Sequence, residues 1–248
     1  MAKTALITGA SRGIGAACAR LLARDGFDIC INFAGNENAA ANVAQEVENY
    51  GQSALLAQGD VSDEDQVEAM FDRCIRHFGP IDVAILNAGI IHKAMPLADM
   101  PIDEIRRIID IDLTAQLICA REAVRRMARS RGGQGGVIVL MSSKAATLNG
   151  AGGFQPYGCA KAGMDSLIVG LGREVADDGL RVVGLRPGLI DTDIQDDTGI
   201  ANRIARFGPQ VPMGRGGTAD EVAEAVAWLV SDKASYVTAT VFDVSGGR

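Results

Sequence analysis

Three glycines set just after an apolar run constrain this chain more than any other feature. Ala5-Leu6-Ile7 leads into Thr8-Gly9-Ala10-Ser11-Arg12-Gly13-Ile14-Gly15, and helical periodicity follows through Ala17, Leu21 and Leu22. A strand that turns sharply into a helix at such glycines lets its backbone approach a bound group closely. The helix start then offers unpaired N–H groups and the positive end of a dipole, which suits a pyrophosphate. Gly9, Ser11, Arg12, Gly13, Ile14 and Gly15 are the first candidate cofactor residues. Their Gly-x-x-x-Gly-x-Gly spacing differs from the common dinucleotide fingerprint, and a strand–helix turn that binds nothing is the alternative.

The rest of the chain repeats that strand–helix alternation. Strands are expected near 4–8, 27–33, 53–58, 81–87, 136–142, 180–186 and 239–244. Helices are expected near 13–25, 37–50, 63–78, 101–130, 156–177 and 219–231, the fourth interrupted around Ile111–Leu113. Alternation of this kind implies an α/β fold with a parallel sheet covered on both faces by right-handed crossovers. No linker, repeat or low-complexity tract divides it, so residues 1–248 read as one domain.

Chemistry-bearing residues gather where those strands should end. Asn87-Ala88-Gly89 follows Val83–Leu86, Ser142-Ser143 follows Val137–Met141, and Arg186-Pro187-Gly188-Leu189-Ile190-Asp191-Thr192 closes a further strand. Open α/β sheets bind ligands at that edge. Tyr157 and Lys161 lie four apart, which puts both on one helix face. An ammonium there favours the phenolate and lowers the tyrosine pKa, so that the phenol can exchange a proton with an alcohol or carbonyl oxygen.

With these motifs in this order, the chain resembles the short-chain dehydrogenase/reductase family from the first strand to the C-terminus. It looks most like bacterial 3-oxoacyl-(acyl-carrier-protein) reductases and glucose dehydrogenases. The resemblance implies a single-domain Rossmann fold with seven parallel strands in the order 3-2-1-4-5-6-7. It implies hydride transfer between a nicotinamide and a carbonyl or secondary alcohol. Tyr157 would be the acid–base group, Lys161 its partner and ribose ligand, and Ser143 the anchor of the substrate oxygen. Asn87, Ala88, Gly89, Pro187, Gly188, Ile190 and Thr192 would line the cofactor, and Asp60 with Val61 would meet the adenine. A homo-oligomer, dimer or tetramer, is also implied.

Two positions depart from the family pattern. The serine usually stands thirteen positions before the tyrosine; Ser143 is fourteen before and Ser142 fifteen, so the intervening loop is one residue longer. Asp112 stands where asparagine is common. In the family that asparagine holds a water that relays between the lysine and solvent; Asp112 would hold the same water as an acceptor and put a carboxylate near Lys161, or it merely stabilises a helix kink.

Cofactor type rests on the end of the second strand, Ile31-Asn32-Phe33-Ala34-Gly35-Asn36. An acid there would bind the ribose hydroxyls and repel a 2′-phosphate, but the family's aspartate position aligns with Phe33. Arg12 places a guanidinium where that phosphate would sit, unless it lies free on the surface. NADP(H) is favoured and NAD(H) stays open.

Composition narrows the partners. A net charge of −7 argues against nucleic acid and anionic membranes. No apolar run approaches 18 residues, and strand one begins too early for a signal peptide. Cysteines 18, 30, 74, 119 and 159 lack C-x-x-C spacing and read as reduced thiols of a cytoplasmic protein. No His/Cys/Asp/Glu cluster suggests a metal, and His77 and His92 read as surface residues.

Arg121, Arg125, Arg126, Arg129 and Arg131 form a basic run on the later part of the fourth helix. It is either a patch for an acidic acyl-carrier protein or a helix terminus with an internal Glu122–Arg126 pair. Residues 195–212 should form a lid, and the apolar residues Ile194, Ile200, Ile204 and Phe207 suit a moderately apolar substrate. A 3-oxoacyl thioester or related ketone is the leading substrate class. A sugar or other alcohol is the first alternative, and a dinucleotide-binding regulatory module with little turnover is the second.

Overall fold

A computed structural model describes residues 2–248. Strand β1 (Lys3–Ile7) enters α1 (Gly13–Arg24) through the glycine turn, and β2 (Phe27–Phe33), α2 (Glu37–Asn49), β3 (Ala54–Gln58) and α3 (Glu64–Phe78) follow. Then come β4 (Val83–Leu86), α4 (Ile102–Ile109), α5 (Ala115–Met127), β5 (Gly136–Met141), α6 (Gln155–Glu174) and β6 (Leu180–Pro187). The last part holds β7 (Ile190–Asp191), α7 (Arg203–Phe207), β8 (Gly217–Thr218), α8 (Ala219–Val230) and β9 (Thr240–Val244).

Seven strands form one parallel sheet in the order β3-β2-β1-β4-β5-β6-β9. The position expected for a seventh strand is held by β9, because the short parallel pair β7–β8 intervenes in the chain. Sequence reading missed that pair. Each of its strands is two residues long, too short to show a period.

Side chains alternate across the sheet as the strand pleat requires. Ala5 and Ile7 face the core shared with α1, α2 and α8, whereas Leu6 between them faces the core with Phe71 of α3 and Cys119 of α5. All of these are completely buried, as are Ile29, Ile85 and Leu140. Each large one contributes about 1.5–3 kcal/mol by leaving water. Rigid packing on both faces fixes the C-terminal strand ends, where the cavity opens.

The expected break in the fourth helix is a π-helical turn, Asp110–Thr114, between α4 and α5. One wide turn rotates the backbone register, and Asp112 points inward, completely buried. Among the described residues no helix is long and apolar enough to cross a membrane.

Candidate active site

A cavity of about 690 Å³ runs along the C-terminal strand ends, from the glycine turn to α6 and the lid. Its cofactor end is built from the backbone. Gly9 has φ +63°, and a Cβ there would lie 2.9 Å from the Ala88 Cα. Asn32, buried on β2, accepts a hydrogen bond from the Gly9 N–H and donates to the carbonyls of Ala57 and Gly59. The backbone N–H groups of Asn87 and Ala88 donate to Thr8 Oγ1, and Asn87 Nδ2 donates to the carbonyls of Thr8 and Gly9. Three strand ends are thereby tied to one turn.

Helix α1 begins at that turn with no side-chain cap from Arg12, while Asn36, Asp63 and Thr218 cap α2, α3 and α8. Its first N–H groups face a cavity lined by Gly9, Ser11, Arg12, Gly13 and Ile14. An uncapped helix start against a glycine turn fits a phosphate-bearing cofactor.

Gly15 does not line this cavity. It lies beneath the turn, where a Cβ would come within 2.5 Å of the Gly9 carbonyl oxygen, so it serves helix–strand packing. Asp60 and Val61 do line it. Asp60 Oδ1 accepts from the Ser62 N–H and hydroxyl, and the cap of α3 is Asp63 rather than Asp60. Phe33 is buried at the end of β2, and no acid faces the cavity there. Arg12 is exposed and pairs across the opening with Asp197 at 3.6 Å and Asp193 at 4.0 Å. The guanidinium therefore links the glycine turn to the lid.

The other end gathers Ser143, Tyr157, Lys161 and Asp112. Lys161 Nζ lies 5.5 Å from the Tyr157 ring centroid and donates to the Met141 carbonyl at 3.1 Å. It also lies 3.3 Å from Asp112 Oδ1, which accepts from the Ile90 N–H as well. Burial pushes the Asp112 carboxyl above its usual range, and the charge of Lys161 and the bonds it receives oppose that rise. Gly89 makes the approach possible, since a Cβ there would meet Asp112 Oδ1 at 2.6 Å.

The serine pair divides. Ser142 Oγ is buried and donates to Asp165 Oδ1 at 2.6 Å, while Asp165 Oδ2 accepts from Arg186 Nε at 2.8 Å. Ser143 caps the turn Lys144–Ala146 by accepting from the Ala145 N–H, which leaves its hydroxyl hydrogen free to donate. Pro187, Gly188, Ile190 and Thr192 line the wall beyond β6.

Two expectations need correction. His92 is buried at 2% exposure, its Nδ1 2.8 Å from the Lys93 carbonyl and its ring packed on Phe154. Of the apolar residues in and beside the lid, Ile194 lines the cavity and Ile204 packs against Gly216. Arg129 and Arg131 lie in a short 3-10 turn beyond α5. Most of the basic run is matched internally: Arg121 pairs with Glu64, Arg125 with Glu122, and Arg126 with Glu68, Asp72 and Glu122.

Sequence reading missed Asn32, whose polarity inside an apolar strand was the available signal, and Arg203 of the lid.

Residues 9–248 match the family model described as Enoyl-(Acyl carrier protein) reductase. The chain belongs to the short-chain dehydrogenase/reductase family. It is 42% identical over 244 residues to the uncharacterized oxidoreductase YgfF of Escherichia coli (strain K12), covering 98% of this chain and 99% of that one. It is 38% identical over 246 residues to the cis-4-hydroxycyclohexanecarboxylate dehydrogenase of Sinomonas cyclohexanicum, covering 99% and 96%. The crystal structure of a short chain dehydrogenase from Burkholderia cenocepacia J2315 in complex with NADP superposes with a TM-score of 0.90 at 31% identity, covering 99% and 97%. Membership makes this protein a dehydrogenase/reductase enzyme of a family that binds nicotinamide cofactors.

Proposed function

We propose that this protein is a cytoplasmic NADPH-dependent reductase of a ketone or 3-oxoacyl compound, also able to oxidise the corresponding alcohol. The observation that carries the reading is that Tyr157, Lys161 and the free Ser143 hydroxyl line one cavity with the uncapped start of α1. When bound, a nicotinamide dinucleotide would supply or accept the hydride.

The chain's own residues would do the rest. The N–H groups at Gly13 and Ile14 would hold the pyrophosphate. Asn87, Ala88, Gly89, Pro187, Gly188, Ile190 and Thr192 would line the remainder, with Asp60 and Val61 toward the adenine. Ser143 would donate a hydrogen bond to the substrate oxygen and fix its place. Tyr157 would pass its phenolic proton to that oxygen in reduction and withdraw it in oxidation. The Lys161 ammonium would favour the phenolate and hold a ribose hydroxyl. Asp112 would keep Lys161 in position and face the relay.

NADP(H) is supported by the absence of an acid at the end of β2, by Arg12 at the turn, and by the NADP-bound relative. Four buried free thiols support a reducing compartment. The paired arginines of α5 favour a free small molecule over a carrier protein. Homo-oligomerisation is supported by exposed Leu117 on α5 and by fully exposed Tyr236.

The test is NADPH oxidation against 3-oxoacyl thioesters, diketones and oxo acids, with NAD+ and glucose run in reverse. Turnover of a carbonyl with NADPH is expected. Cofactor binding with no turnover anywhere would support a dinucleotide-binding regulatory module instead.

A further inference from the structure

Six cationic side chains line the cavity against three carboxylates, in a chain whose net charge is −7. Four of the six are matched within 4.0 Å: Arg12 by Asp193 and Asp197, Arg107 by Glu104, Lys144 by Asp243, and Lys161 by Asp112. Among the described residues, Arg203 and Arg248 alone of the six have no carboxylate partner. They are also near enough to repel one another. Burial lowers the Arg203 pKa and the Arg248 charge lowers it further, while Tyr157 acts in the opposite sense. Arg203 lies at the Tyr157 end, and Arg248 lines the same cavity.

Arg203 is held in a defined pose. Its Nη1 donates to Gln195 Oε1 at 2.5 Å, and Gln195 Nε2 is tied to the Ile190 carbonyl at 2.7 Å. Its guanidinium lies over the Phe154 ring at 5.1 Å, three residues before Tyr157. Its Nε is buried and has no hydrogen-bond partner. With Nη1 engaged, the edge left over is the Nε–Nη2 fork, the geometry that pairs two-pronged with a carboxylate; Nε is covered here, so a ligand meets the whole fork only when the segment carrying Arg203 shifts. A buried donor without a partner costs roughly 1–3 kcal/mol, so a ligand that accepts from it gains affinity by removing that cost.

We infer that the substrate of this enzyme carries a carboxylate, held by the Nε–Nη2 fork of Arg203 with Arg248 beside it. The inference rests on the reductase reading above and names the substrate class of the same site. The carboxylate reaches Arg203 as the lid settles over the cavity, and the carbonyl is thereby presented toward Ser143 and Tyr157. A lid arginine over Phe154 would also stiffen the lid, but stiffening alone does not distinguish a carboxylate from an amide of the same shape.

The test uses a series of unbranched and cyclic oxo acids of four to eight carbons, each with its neutral amide. Calorimetry with NADP+ present, and again without cofactor, reads affinity; NADPH oxidation reads kcat and KM. In the wild type at least one acid should bind ~10-fold or more tightly than its amide, with the difference in KM rather than kcat. Arg203→Gln should abolish that ratio, and Arg203→Lys, which keeps the charge without the fork, should keep only part of it. If Arg203→Gln fails to fold, the wild-type ratio and the partial loss in Arg203→Lys carry the test. No acid preferred over its amide, or a preference that survives in Arg203→Gln, overturns the inference. Preferred binding of acids with no NADPH oxidation would overturn the reductase reading and leave the anion site standing. Turnover without preference would do the reverse.

Discussion

At the glycine-turn end of the cavity, Thr8, Asn32 and Asn87 find partners inside the chain, whereas around the π-turn and lid several groups do not. Asp112 Oδ2, Gln116 Oε1 and Arg203 Nε are each buried without a partner there, as are His92 Nε2 and Gln155 Oε1 nearby. Buried polar groups are normally bonded, and exceptions mark places where a ligand, water or catalytic role completes the set. On the proposed reading the first end is a finished mould for the cofactor, while the second keeps hydrogen-bonding capacity for the substrate.

The largest test of that contrast is Tyr157→Phe. Its ring packing is kept and its proton is lost, so kcat should fall by at least ~10²-fold while NADPH affinity stays near wild type. Stopped-flow turnover with equilibrium fluorescence titration reads both. Near-normal turnover would reject Tyr157 as the acid and with it the distinct chemical role of this end.

Gly9→Val addresses the finished end. A branched side chain at φ +63° is strained, and its Cβ would collide with Ala88 across the tie between β1 and β4. NADPH affinity should fall by ~10-fold or more, with lowered thermal stability. Wild-type affinity in this variant would show that the mould adapts, and the contrast between the ends would fail.

What could be read in advance divides along the same line. The glycine turn, the strand ends and the Tyr157–Lys161 spacing are local patterns, and local geometry is what sequence encodes most directly. Even the break at Asp110–Thr114 was visible as an interruption of period. His92 was misread because its neighbour Phe154 is 62 positions away. The tie of Ser142 through Asp165 to Arg186, and the seat of Arg203 on Phe154, likewise join residues brought together only by the sheet. Lid side chains are set by tertiary contacts, so the lid end was the less legible one.

Arg12 connects the two ends, and its removal should have an intermediate effect. It pairs with Asp197 of the lid and with Asp193 just before it, while standing where a 2′-phosphate would be met. Wild-type protein should bind NADPH more tightly than NADH, and Arg12→Ala should narrow the gap by up to ~10-fold. A wild-type preference for NADH would show that the buried Phe33 was the wrong guide to the cofactor.

The smallest effect expected is at Asp112, and its sign follows from the geometry. Burial raises the carboxyl above its ordinary range while the Lys161 charge opposes that rise. In its ionised form the group, 3.3 Å from Lys161 Nζ, offsets part of the field that the ammonium exerts on the Tyr157 oxygen. Asp112→Asn removes the charge while the side-chain oxygen still accepts from Ile90. The Lys161 field then acts unopposed, so the alkaline-rising limb of the oxidation profile should move to lower pH, with a similar plateau. Initial rates of alcohol oxidation across the pH range read the shift. An unchanged profile would mean that Asp112 is electrically remote from the relay despite its distance from Lys161. A collapse at every pH would mean that the charge itself is required, and asparagine could not stand in for it.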